Sequence, residues 1–287
     1  MGNVAIITDS TACLPRELAE QYSIEVVSAR IFYDGRIYRD EVDISPDEFY
    51  NILSQAKELP TTSSPPPGDY LEALEKVARK ANGILVITPS AKFSTMFNSA
   101  KAAAELAQEK LPKVNVDVLD CGTCAGAQGL VVLAAARAAS AGENLVEAAE
   151  AAKNIMTKVN LVAFLDTLYY LAKGGQVPKV IAYANSLLRI KPIIQVLPLS
   201  GEGSIAKIVR TRAKAEKQLL DMVRKSVKER PIHVVVMHSH NLARGENLKQ
   251  HLASEFRCSE IYLSDFTPVM GVHTGPGLLG VAFYAED

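Results

Sequence analysis

Short apolar runs alternate with amphipathic segments through the first half of the chain. Residues 4–8 and 83–88 are continuous apolar runs, the pattern of strands buried on both faces of a sheet. Amphipathic segments begin at helix-start signals such as Ser45-Pro46. We therefore expect residues 1–159 to form a Rossmann-like α/β domain with a doubly wound, mainly parallel sheet. Its predicted strands cover residues 4–8, 24–31, 83–88 and 114–119, a turn at Asp34-Gly35 predicts a hairpin, and the predicted helices end near residues 22, 57, 81, 111, 140 and 159.

The pattern changes in the second half. Two apolar runs flank the turn Ser200-Gly201-Glu202-Gly203, which predicts an antiparallel hairpin. We expect residues 160–287 to form a second lobe, an α+β domain with a mixed or antiparallel sheet. Its predicted strands cover residues 160–165, 193–198, 204–209, 232–237, 260–263 and 279–284, and its predicted helices cover residues 166–175, 178–188, 211–229 and 242–256.

Residues 267–280 hold four glycines and two prolines around one histidine, His273. Glycine lets the backbone approach a ligand closely, and proline stiffens the segment. We interpret the stretch as a constrained loop between two strands that places His273 against a ligand. The alternative is a plain turn in which His273 is an ordinary polar side chain.

Hydroxyl side chains collect at two predicted helix starts. Four of them, at residues 61–64, precede three prolines, and Ser94 and Thr95 stand where the chain turns into an alanine-rich helix. Hydroxyls and free N–H groups at a helix start suit an anion, although a stiff proline-rich linker has the same composition. Thr62, Ser94, Thr95 and His273 can hold an anion, yet they form no evident nucleophile–base–orienter triad.

The composition is that of a globular protein. Of the 287 residues, 48% are hydrophobic and 22% are charged, and the net charge is -1. A nearly neutral chain has no electrostatic footprint for nucleic acid. The first residues lack the charged and apolar regions of a signal peptide. The apolar run at residues 130–139 is too short to span a bilayer. We therefore expect a cytoplasmic protein.

Other sites are disfavoured by their missing signatures. The chain contains no G-x-G-x-x-G, P-loop or G-x-S-x-G motif. His238 and His240 share one face of a predicted strand, but no carboxylate or cysteine stands at companion spacing for a metal. Cys121 and Cys124 form a C-x-x-C, which we interpret as small residues at a helix start rather than a redox pair. No metal or cofactor is expected.

Several stretches, in order along the whole chain, resemble the DegV family of bacterial fatty-acid-binding proteins. Each motif is weak alone, and their ordered combination is specific. The matching stretches are Asp9-Ser10-Thr11; Thr62-Ser63-Ser64 before Pro67-Gly68; Ser94 with Asn98-Ser99-Ala100; Asp120 with Gly129; Asp166-Thr167-Leu168 with Lys173-Gly174-Gly175; Ile190-Lys191-Pro192-Ile193; Val209-Arg210-Thr211-Arg212; and Gly271 with His273-Thr274-Gly275-Pro276-Gly277.

The resemblance implies two lobes with a lipid tunnel between them, holding a long-chain fatty acid such as palmitate or oleate. It implies that Thr62, Ser94 or Thr95, and His273 hold the carboxylate. It also implies that a separate fatty acid kinase phosphorylates the bound acid, so that the chain is a binding protein without catalysis of its own. Transient contact with a membrane surface fits such a ligand. Further residues expected to contribute to carboxylate binding are Ser63, Arg210, Arg212, Gly271 and Thr274.

The chain departs from the family pattern at three places. Residues 94–97 read Ser-Thr-Met-Phe where the family usually has S-G-T-Y, which leaves open whether Ser94 or Thr95 contacts the ligand. Gln176 replaces the usual arginine after Lys-Gly-Gly, which bears on kinase docking. Cys121 and Cys124 replace small or polar residues. The alternative function is an acyl hydrolase or transferase with Ser94 as nucleophile and His273 as base, which requires a hydrogen bond between the two.

Overall fold

The computed structural model describes residues 3–174 and 190–287. In chain order, the strands are β1 (Val4–Asp9), β2 (Glu25–Val27), β3 (Arg30–Tyr33), β4 (Arg36–Arg39), β5 (Thr61–Ser63), β6 (Gly83–Thr88), β7 (Asn115–Asp120), β8 (Asn160–Phe164), β9 (Lys191–Val196), β10 (Gly203–Val209), β11 (Ile232–His238), β12 (Cys258–Asp265) and β13 (Leu279–Ala285). The helices are α1 (Arg16–Gln21), α2 (Pro46–Gln55), α3 (Pro67–Val77), α4 (Met96–Lys110), α5 (Ala125–Ser140), α6 (Leu145–Met156), α7 (Tyr169–Gly174), α8 (Arg212–Val227), α9 (Leu242–Glu255) and α10 (Pro268–Thr274).

The N-terminal sheet has the strand order β2-β1-β6-β7 and is parallel throughout. Its continuous apolar strands are buried on both faces, as the sequence predicts. Ile7, Ile84 and Val86 point to α3 and α4, whereas Ile6 and Leu85 belong to the core that contains α5. Two-sided burial explains why these strands show no polar alternation.

The C-terminal sheet has the strand order β10-β9-β8-β13-β11-β12 and is mixed, because β11 pairs parallel with β12 and antiparallel with β13. One face packs on α8 and α9, and the other faces α5. The fold class predicted from the sequence is thereby confirmed. The lobe boundary between residues 159 and 160 stays a prediction.

Helix α5 lies between the two sheets and contacts strands of both. Its residues are buried around almost its whole circumference, which matches an alanine- and valine-rich helix without a polar face. Gly129 allows a close approach, since a Cβ there would lie 2.9 Å from the carbonyl oxygen of Ala12. The core is therefore continuous from one sheet to the other.

A small antiparallel sheet with the order β4-β3-β5 corrects two expectations from the sequence. Residues 24–31 do not form one strand: β2 joins the parallel sheet, and β3 leaves it for the small sheet. The proline-rich stretch before α3 is not only a linker, because β5 pairs with β3. The hairpin at Asp34-Gly35 is confirmed, and both residues have positive φ (49° and 71°).

Residues 267–280 are not a loop throughout, which corrects the interpretation of this stretch. They contain helix α10, which begins with Pro268 at its first position and is followed by Gly275 at φ 72°. Val269 and Val272 pack against α2 and β3. Tertiary burial thus holds a short helix that has a glycine inside it. The predicted helix at residues 178–188, together with Gly175 and Gln176, lies outside the described residues.

Asp40 ties α10 to the N-terminal half. It is fully buried, and its Oδ1 accepts a hydrogen bond of 3.0 Å from the backbone N–H of Val269. Its Oδ2 has no hydrogen-bond partner among the described residues. Burial raises the pKa of Asp40 to about 7, and burial together with the charge of Asp40 raises the pKa of Glu41 to about 8.

We expect Asp40→Asn to make stability less dependent on pH. The folded-state pKa of Asp40 lies above its ordinary value, so the favourable contribution is complete below about pH 4 and is lost as pH rises through about 7. Between pH 4 and 8 the wild-type free energy of unfolding should fall by on the order of 4 kcal/mol relative to the variant. Urea denaturation at several pH values measures this.

Asp43→Asn is the matched control. Hydrogen bonds from Arg39 lower the pKa of the exposed Asp43 to about 2, so its contribution is constant above about pH 4. Parallel stability curves for wild type and Asp40→Asn would contradict the prediction.

Candidate functional site

An apolar cavity of about 460 Å³ lies where α10, the start of α5 and the inner face of the C-terminal sheet meet. Its walls come from both halves of the chain. Such a volume falls within the range of small-molecule sites. The apolar side chains of the wall include Ala125, Leu161, Ala163, Leu171, Ile194, Val196, Phe266, Val269, Met270 and Leu278.

Most polar side chains of the cavity wall are hydroxyls, and Lys92, which is paired with Glu202, lines it as well. Strand β5 and the residue after it carry Thr62 and Ser64, and the turn before α4 carries Ser94 and Thr95. Ser64 Oγ lies 3.1 Å from Ser94 Oγ and 2.8 Å from Thr95 Oγ1. The pairing of β5 with β3 fixes this strand, so the two hydroxyl-bearing segments meet side by side.

Ser94 stands at the start of a helix of 15 residues. Its Oγ accepts a hydrogen bond of 3.2 Å from the backbone N–H of Met96. Because the oxygen accepts, the hydroxyl proton can be donated elsewhere. The N-terminus of α4 adds the positive end of a helix dipole, so this corner of the cavity favours a negative charge.

His273 lies in the last turn of α10, and its Nε2 is 3.1 Å from Thr62 Oγ1. Its Nδ1 is buried without a hydrogen-bond partner among the described residues. Burial lowers the pKa of His273 to about 4, so the ring is neutral at pH 7. When Nε2 carries the proton, it donates to Thr62, and the hydroxyl proton of Thr62 becomes available to a bound anion.

This geometry does not support the pair that an acyl hydrolase requires. Nε2 of His273 contacts Thr62, whereas Ser94 Oγ contacts Ser64 and the N–H of Met96. A neutral ring with a pKa of about 4 is also a weak general base at pH 7. Hydroxyl donors gathered at one part of an apolar cavity suit an anionic head group instead.

The chain matches one protein family over nearly its whole length. The family described as "Uncharacterised protein, DegV family" matches residues 3–286. The chain belongs to the DegV family. A DegV domain-containing protein of Clostridium perfringens is 32% identical over 288 residues, which cover 99% of each chain.

Solved structures described by their fatty acid binding share the fold. A DegV-family protein from Thermus thermophilus, described by its fatty acid binding, is similar with a TM-score of 0.89, 27% identity and full coverage of both chains. A fatty acid (stearic acid)-binding protein from Eubacterium ventriosum has a TM-score of 0.87 and 25% identity, and the match covers 99% of this chain and 98% of that one.

The lining of the apolar cavity includes most, but not all, of the ligand-binding residues that the sequence predicts. Thr62, Ser63, Ser94, Thr95, His273 and Thr274 line it. Gly271 does not, and its role is packing: a Cβ there would lie 2.5 Å from the hydroxyl of the buried Tyr50. Glycine at this position lets α10 lie directly against α2.

The two arginines lie outside the cavity wall. Arg212 forms an ion pair with Asp166, which is also 3.2 Å from Lys191 Nζ. Arg210 is exposed. In this structure Arg212 therefore fixes the segment that leads into α7, and neither arginine reaches the hydroxyl cluster.

Sequence reasoning missed Ser64 and the apolar wall. Ser64 belongs to the same run of hydroxyls as Thr62, so the run at residues 61–64 was the sequence signal that could have identified it. The wall residues Leu161 and Ala163 alternate on β8 with Val162, which faces α8 and α9. Nothing in a buried strand marks which apolar face borders a cavity.

The remaining histidine and cysteine candidates lie apart from the cavity's hydroxyl cluster. Within residues 3–174 and 190–287, no group of three or more His, Cys, Asp or Glu could hold a metal ion. His238 and His240 contact Asp265 and Asp47 separately. Cys121 and Cys124 are free thiols, and burial raises the pKa of Cys124 to about 12, which disfavours the reactive thiolate.

Of the helices described, none is long and apolar enough to cross a membrane.

Proposed function

We propose that this DegV-family chain binds one long-chain fatty acid, such as palmitate or oleate, in the apolar cavity. The observation that carries the proposal is a cavity of about 460 Å³ with a mainly apolar wall, in which the hydroxyls of Thr62, Ser64, Ser94 and Thr95 are gathered in one part. Relatives of the same fold, described as binding fatty acid or stearic acid, support it.

The tail supplies most of the affinity. A buried methylene contributes about 0.8 kcal/mol, so a long acyl chain offers on the order of 10 kcal/mol before the costs of ordering and association. Side chains such as Leu161, Ile194 and Phe266 offer the surface that takes it from water.

The carboxylate determines the orientation. A buried carboxylate without partners is severely penalised, whereas each hydrogen bond to it contributes roughly 1.5–3 kcal/mol. Ser94 and Thr62 are the donors, and His273 orients the Thr62 hydroxyl through their contact of 3.1 Å. Thr95 is within reach of Ser64 and is a third hydroxyl at the same place.

The bound acid is presented to a separate fatty acid kinase, which makes an acyl-phosphate, while this chain performs no catalysis of its own. This step follows the resemblance to the family together with the absence of a contact between Ser94 and His273. Exchange of the acid with a membrane surface and a cytoplasmic location belong to the same proposal.

Mass spectrometry of lipid extracted from the purified protein tests the proposal. We expect one fatty acid of long chain length per protein. After delipidation, the protein should bind added palmitate or oleate at a ratio of one to one. Protein that carries no lipid and also refuses both acids would refute it.

A further inference from the structure

A second cavity, of about 560 Å³, shares Thr62 and His273 with the apolar one. These two residues therefore stand between the two spaces, and the hydrogen bond between them forms part of the partition. The other walls are the segment between α2 and β5, helix α7, and Val272 of α10. An anion held by Thr62 thus lies beside the second cavity as well as the first.

The second cavity has a wall of mixed polarity that includes two lysines. Lys57 and Lys173 line it and are exposed, and neither forms an ion pair or a hydrogen bond with any residue that the structure describes. Among the lining residues that the structure describes, Glu58 is the one carboxylate. Since His273 is neutral at pH 7, the described wall of this cavity carries two cations and one anion.

A phosphorylated carboxyl group needs such a space. When a carboxylate oxygen attacks the terminal phosphorus of a nucleoside triphosphate, the bond from that phosphorus to its bridging oxygen breaks, and the nucleoside diphosphate leaves with the electron pair. The acyl-phosphate then carries its negative charge one group further from the tail. The hydroxyls of the apolar cavity are already engaged by the carboxyl group, and Lys92 in its wall is paired with Glu202, so a further charge would gain most from cations outside this cavity.

We propose that the second cavity is an anion subsite that receives the phosphoryl group joined to the bound acyl chain, with Lys57 and Lys173 as its cations. The inference rests on the proposed function, because it assumes an acyl carboxylate at Thr62. It goes beyond that function by assigning a role to residues outside the fatty-acid cavity.

Two probes test the subsite: palmitate, and the stable analogue of palmitoyl phosphate in which a methylene replaces the bridging oxygen. The double variant Lys57→Gln/Lys173→Gln should weaken binding of the analogue by about tenfold or more, and that of palmitate by less than about twofold. The difference should shrink at high salt, because the lysines are exposed. Isothermal titration calorimetry measures both affinities.

The matched control is Lys76→Gln/Lys110→Gln, which removes the same charge from lysines paired with Glu25 and Glu75. It should leave both affinities as in wild type. An equal change for both probes in the Lys57/Lys173 variant, or no change, overturns the subsite. If wild-type protein refuses palmitate, the proposed function fails first, and the subsite fails with it.

Discussion

Replacing Thr62 by valine is expected to raise the dissociation constant for palmitate about ten- to a hundredfold. Valine keeps the shape of threonine and removes its hydroxyl. The carboxylate then loses one hydrogen bond, and Nε2 of His273 loses its partner at 3.1 Å. Titration of delipidated protein with palmitate measures the effect, and Ser94→Ala should weaken binding for the same reason.

Thr157→Val is the control for Thr62→Val. Thr157 follows α6, is exposed, and donates to the carbonyl oxygen of Asn154. The substitution Thr157→Val should therefore leave palmitate binding unchanged. Thermal unfolding of each variant separates a lost contact from a lost fold. Unchanged palmitate affinity in both Thr62→Val and Ser94→Ala would remove the assignment of the head-group site.

Ala163→Leu is expected to weaken binding of long acyl chains selectively. Ala163 lies on β8, is buried and lines the cavity. Leucine adds three carbon atoms, which displace about three methylenes of the tail and cost about 2.4 kcal/mol, or on the order of fiftyfold in affinity. Acids short enough to leave this part of the cavity empty should bind as in wild type. A series of saturated acids measured on one protein sample reports the change in length preference.

The neighbouring residue supplies a matched control. Val162 is on the same strand but faces α8 and α9, so Val162→Leu adds bulk on the side of the sheet opposite to the apolar cavity. Val162→Leu should lower the free energy of unfolding by about 1–3 kcal/mol through overpacking, without changing the preference for acyl chain length. A uniform loss of affinity across all chain lengths in Ala163→Leu would mean that the tail does not pass Ala163.

Several strands were predictable because their positions follow from the pattern of neighbouring residues. Continuous apolar runs bounded by turn residues mark β1 and β6, and the turn at Asp34-Gly35 marks a hairpin. The break between β2 and β3 was not predictable, because both segments have strand composition and only their partners differ.

Helix α10 shows why the glycine-rich stretch was misinterpreted. A glycine inside a helix costs about 1 kcal/mol relative to alanine, so Gly271 argued for a loop. The compensation comes from distant residues, since Val269 packs on α2 and its N–H donates to Asp40. Pro268 at the helix start and Gly275 after its end were the local signals that could have revealed it.

The sequence alone determined the two-lobed α/β class, the DegV family and the residue types that can hold an anion. These properties depend on periodicity and ordered motifs, which neighbouring residues encode. Only the tertiary structure placed Thr62 against His273, 211 residues away, and put Arg212 on Asp166 rather than in the cavity. Such contacts depend on how the sheets and α10 pack together, which no local pattern specifies. The same packing turned His273 from a loop residue into one at the end of a helix, where burial keeps its ring neutral.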